Sequence, residues 1–210
     1  MFDFSIMGLV AGLPGLLLAL VLHEYAHARV AVAMGDFTPK ITGRLTLNPV
    51  AHIDIIGLIM LLVAHFGWAK PVMVNPRNFK DMHRGNILVA LAGPMANFIT
   101  AFVAMFVYML LFKLNMGMSL GVKTVLSMIV LFNINFGIFN LIPLPPLDGS
   151  KILLEFLPNE YAYKYMGLER YSFIILIVLI MTPVLSGILI PLSRFILGLY
   201  EAVITLILHV

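Results

Sequence analysis

The 210-residue sequence contains no cysteine, which removes disulfides, thiolate metal ligands and cysteine nucleophiles together. Charge is scarce as well. Only 11% of residues are Asp, Glu, Lys or Arg, against about a quarter in a soluble domain. The 13 basic and 10 acidic side chains leave a formal charge of +3. The basic residues form no block of the kind that binds nucleic acid, so no nucleic-acid partner is expected. Gly/Ser linkers, low-complexity tracts and solenoid-period repeats are also missing, so residues 1–210 read as one domain. No basic residue precedes Arg29, so the first apolar run reads as mature structure rather than a secretory leader.

What fills the chain is hydrocarbon: 61% of residues are hydrophobic. A bilayer core about 30 Å thick takes roughly 20 apolar residues per helix. The expectation is an all-α, multi-pass membrane protein with about five transmembrane helices. The first apolar stretch, from Ile6, runs through His23 to a stop at Gly35-Asp36. Further spans are expected over Asn86 to Phe112, Val122 to Leu147, Tyr171 to Ile190 and Phe195 to Val210. Ile53 to Trp68 is short for a crossing and contains Asp54 and His65, which fits a re-entrant segment. Lys40-Ile41-Thr42 and Arg44 to Leu47 alternate polar with apolar, and Pro71 to Val74 is β-branched. These predict a small hairpin or sheet near the first helix.

With a re-entrant Ile53–Trp68, nine basic residues from Lys40 to Arg170 share one face, and only Lys113, Lys123 and Arg194 lie opposite. The positive-inside rule then makes the crowded face cytoplasmic.

His23-Glu24-Tyr25-Ala26-His27 is the sharpest chemical signal. Residues i and i+4 share a helix face, so His23 and His27 can hold one Zn²⁺. Glu24, displaced around the helix, can serve as general base toward water at the metal. Chance places such a motif in only about 0.4% of chains of this composition. Three titratable side chains in one turn of an apolar helix are costly without compensation, which a metal supplies. A third protein ligand must come from elsewhere. Asp148 ranks first, because Pro143, Pro145 and Pro146 break the helix just before it. Asp54, His52 and Glu155 are the alternatives. Asn140 and Asn97 could hold a substrate backbone or polarise a carbonyl, or simply bond neighbouring helices. His52 is a further candidate for substrate contact. His65, His83 and His209 read as structural or solvated.

His23-Glu24-x-x-His27, Ala92-Gly93-Pro94-Met95-Ala96-Asn97 and Asn140-Leu141-Ile142-Pro143 to Leu147-Asp148-Gly149 together resemble the site-2 protease family of intramembrane zinc metalloproteases. Gly43 to Pro49, Ala51 to Asp54 and Gly67 to Val72 resemble a short prokaryotic branch of it. The resemblance covers about residues 8 to 155, leaving 171–210 as accessory helices. It implies one zinc per chain, bound by His23, His27 and Asp148, with Glu24 activating water. It implies peptide-bond hydrolysis in or near a transmembrane segment of a membrane-protein substrate. The active site would face the cytoplasm from a prokaryotic plasma membrane, with homo-oligomers compatible with the sequence. The chain leaves no room for the PDZ or CBS domains that many members carry.

Two rival classes share some of these features. Transporters also break helices around a midplane carboxylate, but paired half-repeats are missing here. A pseudoprotease that binds helices without cutting would differ only in turnover.

Overall fold

The computed structural model describes residues 6–57, 60 and 68–209, with side chains from residue 11 onward. Seven helices carry the architecture among these residues. They are α1 (Ile6–Met34), α2 (Met82–Lys113), α3 (Leu120–Asn140), α4 (Asp148–Phe156), α5 (Asn159–Met166), α6 (Ser172–Met181) and α7 (Pro183–Leu208). Four have the length and apolar composition to cross a membrane: α1 from Ala11, α2, α3 and α7. The protein is a multi-pass membrane protein, and many of its Leu, Ile, Val and Phe side chains are exposed.

The bundle core lies where α1, α2 and α3 pack on one another. Ala101 and Ala104 of α2 meet Val130, Ile134 and Ile138 of α3, and Leu189, Ile196 and Tyr200 of α7 close over them. Small residues let the α2 backbone come near its neighbours, the usual basis of helix packing in lipid. α2 starts at Asp81, whose side chain accepts from the Arg84 N–H at 3.0 Å.

Two expectations are corrected here. The first is the span count. The region expected to hold helices at 171–190 and 195–210 divides instead at Thr182, giving a ten-residue α6 and a 26-residue α7. Pro183 forces the residue before it into extended backbone (Thr182 φ −101°, ψ 158°). Pro191 stays inside α7, where neighbouring helices tolerate it. Likewise α3 ends at Asn140, before the prolines, not at Leu147.

The second correction is the hairpin. Among the described residues the only ladder element is one isolated antiparallel bridge, Ile53 to Ala69. Thr38–Ile41 is a helical turn with Pro39 at its start. The N–H groups of Thr42, Gly43 and Arg44 return to the carbonyls of Thr38, Lys40 and Pro39. Those donors are used locally, so none is left for a partner strand. Residues 71–74 form no regular element and have no ladder partner among the described residues.

Most of the interior of the expected re-entrant segment (58, 59 and 61–67) lies outside the described residues. Its two ends meet: Lys70 N–H donates to the His52 carbonyl at 2.9 Å. A segment that crossed a bilayer would separate its ends by about 30 Å.

Candidate metal centre

His23 and His27 lie one turn apart on α1 with their rings edge to face, centroids 4.5 Å apart. Each ring is held from behind by α2. His27 Nδ1 lies 2.6 Å from the Val89 carbonyl, which can only accept, so that nitrogen carries the proton. His23 Nδ1 lies 2.7 Å from Asn97 Oδ1. The Asn97 amide nitrogen donates to the Ala19 carbonyl and to Asn133 Oδ1, so its oxygen faces His23 as an acceptor. Both Nδ1 protons are thereby committed, and both Nε2 lone pairs face each other at 3.0 Å.

Asp148 arrives from the other side. The chain leaves α3 at Asn140, turns through the proline segment and restarts as α4 at Asp148. Asp148 Oδ2 stands 3.1 Å from His23 Nε2 and 2.9 Å from His27 Nε2. It is buried with no hydrogen-bond donor of its own. With both imidazoles neutral in these tautomers, three acceptor atoms converge with no proton among them. A metal cation would satisfy such a set. Two imidazoles and one carboxylate suit Zn²⁺ with a further coordination place open. Among the described residues, this is the one group of three such side chains able to hold a metal ion.

Two glycines permit the approach. A Cβ on Gly93 would stand 2.5 Å from both His23 Cε1 and His27 Nε2. A Cβ on Gly149 would stand 2.2 Å from the Leu141 carbonyl oxygen. Gly149 therefore serves close packing of α4 against the end of α3.

His23, His27 and Asp148 line a cleft of about 510 Å³ that Glu24 also lines. Residues 71–74 also line this cleft. Glu24 Oε2 accepts from the Val72 N–H at 3.0 Å. That bond holds its carboxylate at the cleft wall.

The remaining candidates fall in different places. Asn140 lines the cleft and donates from Nδ2 to the Phe136 carbonyl at 2.9 Å. Asn97 is fully buried behind His23 and off the cleft wall. His52 is also fully buried, with Nε2 2.8 Å from the Thr46 carbonyl, and does not line the cleft. Asp54 accepts from the Gly57 N–H. Glu155 binds His83 and Asn86 through its two oxygens, at 2.8 and 2.6 Å. Of the four possible third ligands, the structure brings only Asp148 to the imidazoles.

Two residues were not singled out from the sequence as parts of the site. Lys151 Nζ donates to Asp148 Oδ1 at 2.9 Å; opposite charges three apart at a helix start were the available signal. Asp36, just past α1, is fully buried. It accepts from the N–H and hydroxyl of Thr38, the Asn75 N–H and the Asn78 amide. Burial alone would push its carboxyl up, but these bonds together hold it below the usual carboxylate range. Asp36 thus ties the end of α1 to the chain just beyond the 71–74 wall.

Similar proteins give this geometry a context. The family description "Peptidase family M50" matches residues 111–182, which include the Asp148 loop. "Putative zinc metalloprotease YwhC" of Bacillus subtilis is 41% identical over 180 residues, 84% of this chain and 82% of the relative. "Putative zinc metalloprotease Rip2" of Mycolicibacterium smegmatis is 30% identical over 178 residues, 83% of this chain and 68% of the relative. The protein of that name from Mycobacterium tuberculosis is 31% identical over 181 residues, with the same coverage of 83% and 68%. No solved structure matches.

Proposed function

Since the chain belongs to peptidase family M50, the site-2 type zinc metalloproteases, we propose that it hydrolyses a peptide bond in or near a transmembrane segment of another membrane protein. The convergence of His23 Nε2, His27 Nε2 and Asp148 Oδ2 carries this reading. These three side chains would hold one Zn²⁺ per chain. When bound, zinc supplies a Lewis acid that polarises a carbonyl and acidifies water toward a pKa of about 7.

Glu24 is the general base. It takes the proton of the attacking water and passes it to the leaving amine nitrogen. Its place on the cleft wall and its bond from Val72 support the assignment. Asn97 orients His23 from behind. Asn140, on the cleft wall, contacts the substrate backbone. A helical substrate hides its peptide bonds and must unwind to be cut. The segment 71–74, which lines the cleft and carries the β-branched Val72 and Val74, would pair with it by strand addition.

In this reading the motif-bearing part, residues 8–155, and the accessory helices beyond 171 form one membrane-embedded unit. The cleft faces the cytoplasm of a prokaryotic cell, in keeping with the distribution of basic residues and the bacterial relatives. The partners are the lipid bilayer and a membrane-protein substrate.

The test is co-expression of the full chain with candidate single-span membrane proteins, comparing wild type with Glu24→Gln. The variant should keep zinc, by elemental analysis of purified protein, and lose cleavage. Cleavage that persists in Glu24→Gln rejects the mechanism. Purified wild type without bound zinc rejects the metalloprotease reading, and zinc binding without turnover on any substrate favours the silent helix-binder.

A further inference from the structure

Asp148 divides its two oxygens between different neighbours. Oδ2 faces the imidazoles and has no hydrogen-bond donor. Oδ1 accepts from Lys151 Nζ at 2.9 Å, one turn further along α4. A carboxylate is symmetric about its Cβ–Cγ bond, so its own chemistry does not select an oxygen. The ammonium does. The Lys151 side chain is 58% exposed and that of Asp148 6%. As an isolated surface pair this contact would contribute little to stability. Its effect falls on Asp148, whose second oxygen would otherwise be free to turn toward the imidazoles.

That choice of oxygen has a chemical consequence. A carboxylate can give a metal one oxygen or two. Catalytic zinc sites depend on a coordination place left free by the protein ligands. Resting on the metalloprotease reading above, we propose that Lys151 is a positioning residue: by occupying Oδ1 it restricts Asp148 to a single-oxygen contact with the ion and keeps one place open for the reactants. Lys151 also sets a positive charge near the ion, on the far side of one carboxylate. The cation therefore binds less tightly than His23, His27 and Asp148 alone would allow.

This arrangement predicts an unusual pair of effects. Removing the ammonium frees Oδ1 and removes the like charge. Lys151→Met in the full-length, detergent-solubilised chain should bind zinc about tenfold more tightly than wild type while cleaving substrate more slowly. With cobalt(II) in place of zinc, the variant should absorb more weakly in the visible, the mark of a five-coordinate ion. Lys151→Arg, which keeps the cation, should resemble wild type in affinity and spectrum. Lys151→Gln serves as a second neutral variant if Lys151→Met does not fold, with the same expected outcome. Neutral variants whose zinc affinity and cobalt spectrum match wild type overturn the proposal. So does weakened zinc binding, which is what general damage to α4 would give. A wild type that holds no zinc defeats the underlying reading as well. A zinc-binding wild type with unchanged neutral variants defeats only the role of Lys151.

Discussion

Asn97, on α2, accepts a hydrogen bond from His23, on α1, over 2.7 Å. The amide is fixed by two donations of its own, to Ala19 and Asn133. The ring of His23 is therefore oriented by a side chain that never reaches the cleft.

Asn97→Leu should thus act through the metal. Partners of this kind typically change metal affinity 10- to 100-fold. Zinc affinity of the purified variant, by competition with a chelating dye, is expected to fall by about that factor. An unchanged affinity would show that His23 keeps its orientation unaided.

Gly93→Ala tests the close approach of α2 to the imidazoles. The added methyl would lie 2.5 Å from both rings, and both are held from behind by Asn97 and Val89. Alanine favours a helix over glycine by about 1 kcal/mol, so folding is not the first casualty. The expected result is at least about tenfold weaker zinc binding with helical content by circular dichroism preserved. Full zinc occupancy in Gly93→Ala would refute this packing.

Asp36 gives a pH dependence. Its carboxyl is held below the usual range in the folded protein, and an unfolded Asp titrates near about 3.9. The stabilisation is complete above that value and is lost as pH falls through the folded one. Asp36→Asn keeps one acceptor oxygen and loses the charge, which should cost about 2 kcal/mol at neutral pH. Thermal unfolding in detergent should show wild type losing stability below about pH 4. The variant should start lower and lack that component. Parallel pH profiles for the two proteins would exclude the tether.

Val72→Pro and Met73→Pro probe the 71–74 wall of the cleft. Proline removes an N–H; at position 72 the lost donor is the one that Glu24 accepts from. Both variants are expected to retain zinc and lose most cleavage. Wild-type cleavage rates in both would remove strand addition along this segment from the mechanism.

The parts legible in the sequence were those set by spacing along one element. His23, Glu24 and His27 are grouped by helical periodicity, and the three prolines before Asp148 announce a break whatever surrounds it. The structure brings His23, His27 and Asp148 together. What sequence could not supply is register between elements. Nothing local says that Asn97 would lie opposite His23, or that Val89 would offer its carbonyl to His27. The hairpin failed for a local reason. Alternation at 40–47 looked strand-like, but Pro39 opened a helical turn that used the following donors. The end of the chain failed on a choice between prolines. Pro183 breaks the chain while Pro191 is carried inside a helix; that outcome depends on the helices around them.

The two imidazoles belong to α1, their supports to α2 and the carboxylate to α4. Ion affinity and bundle assembly are therefore one thermodynamic quantity seen from two ends. Every factor of ten in free zinc above the dissociation constant adds about 1.4 kcal/mol to the cohesion of these helices. Chelation should accordingly lower the melting temperature of these helices, in step with the fall in the logarithm of free zinc.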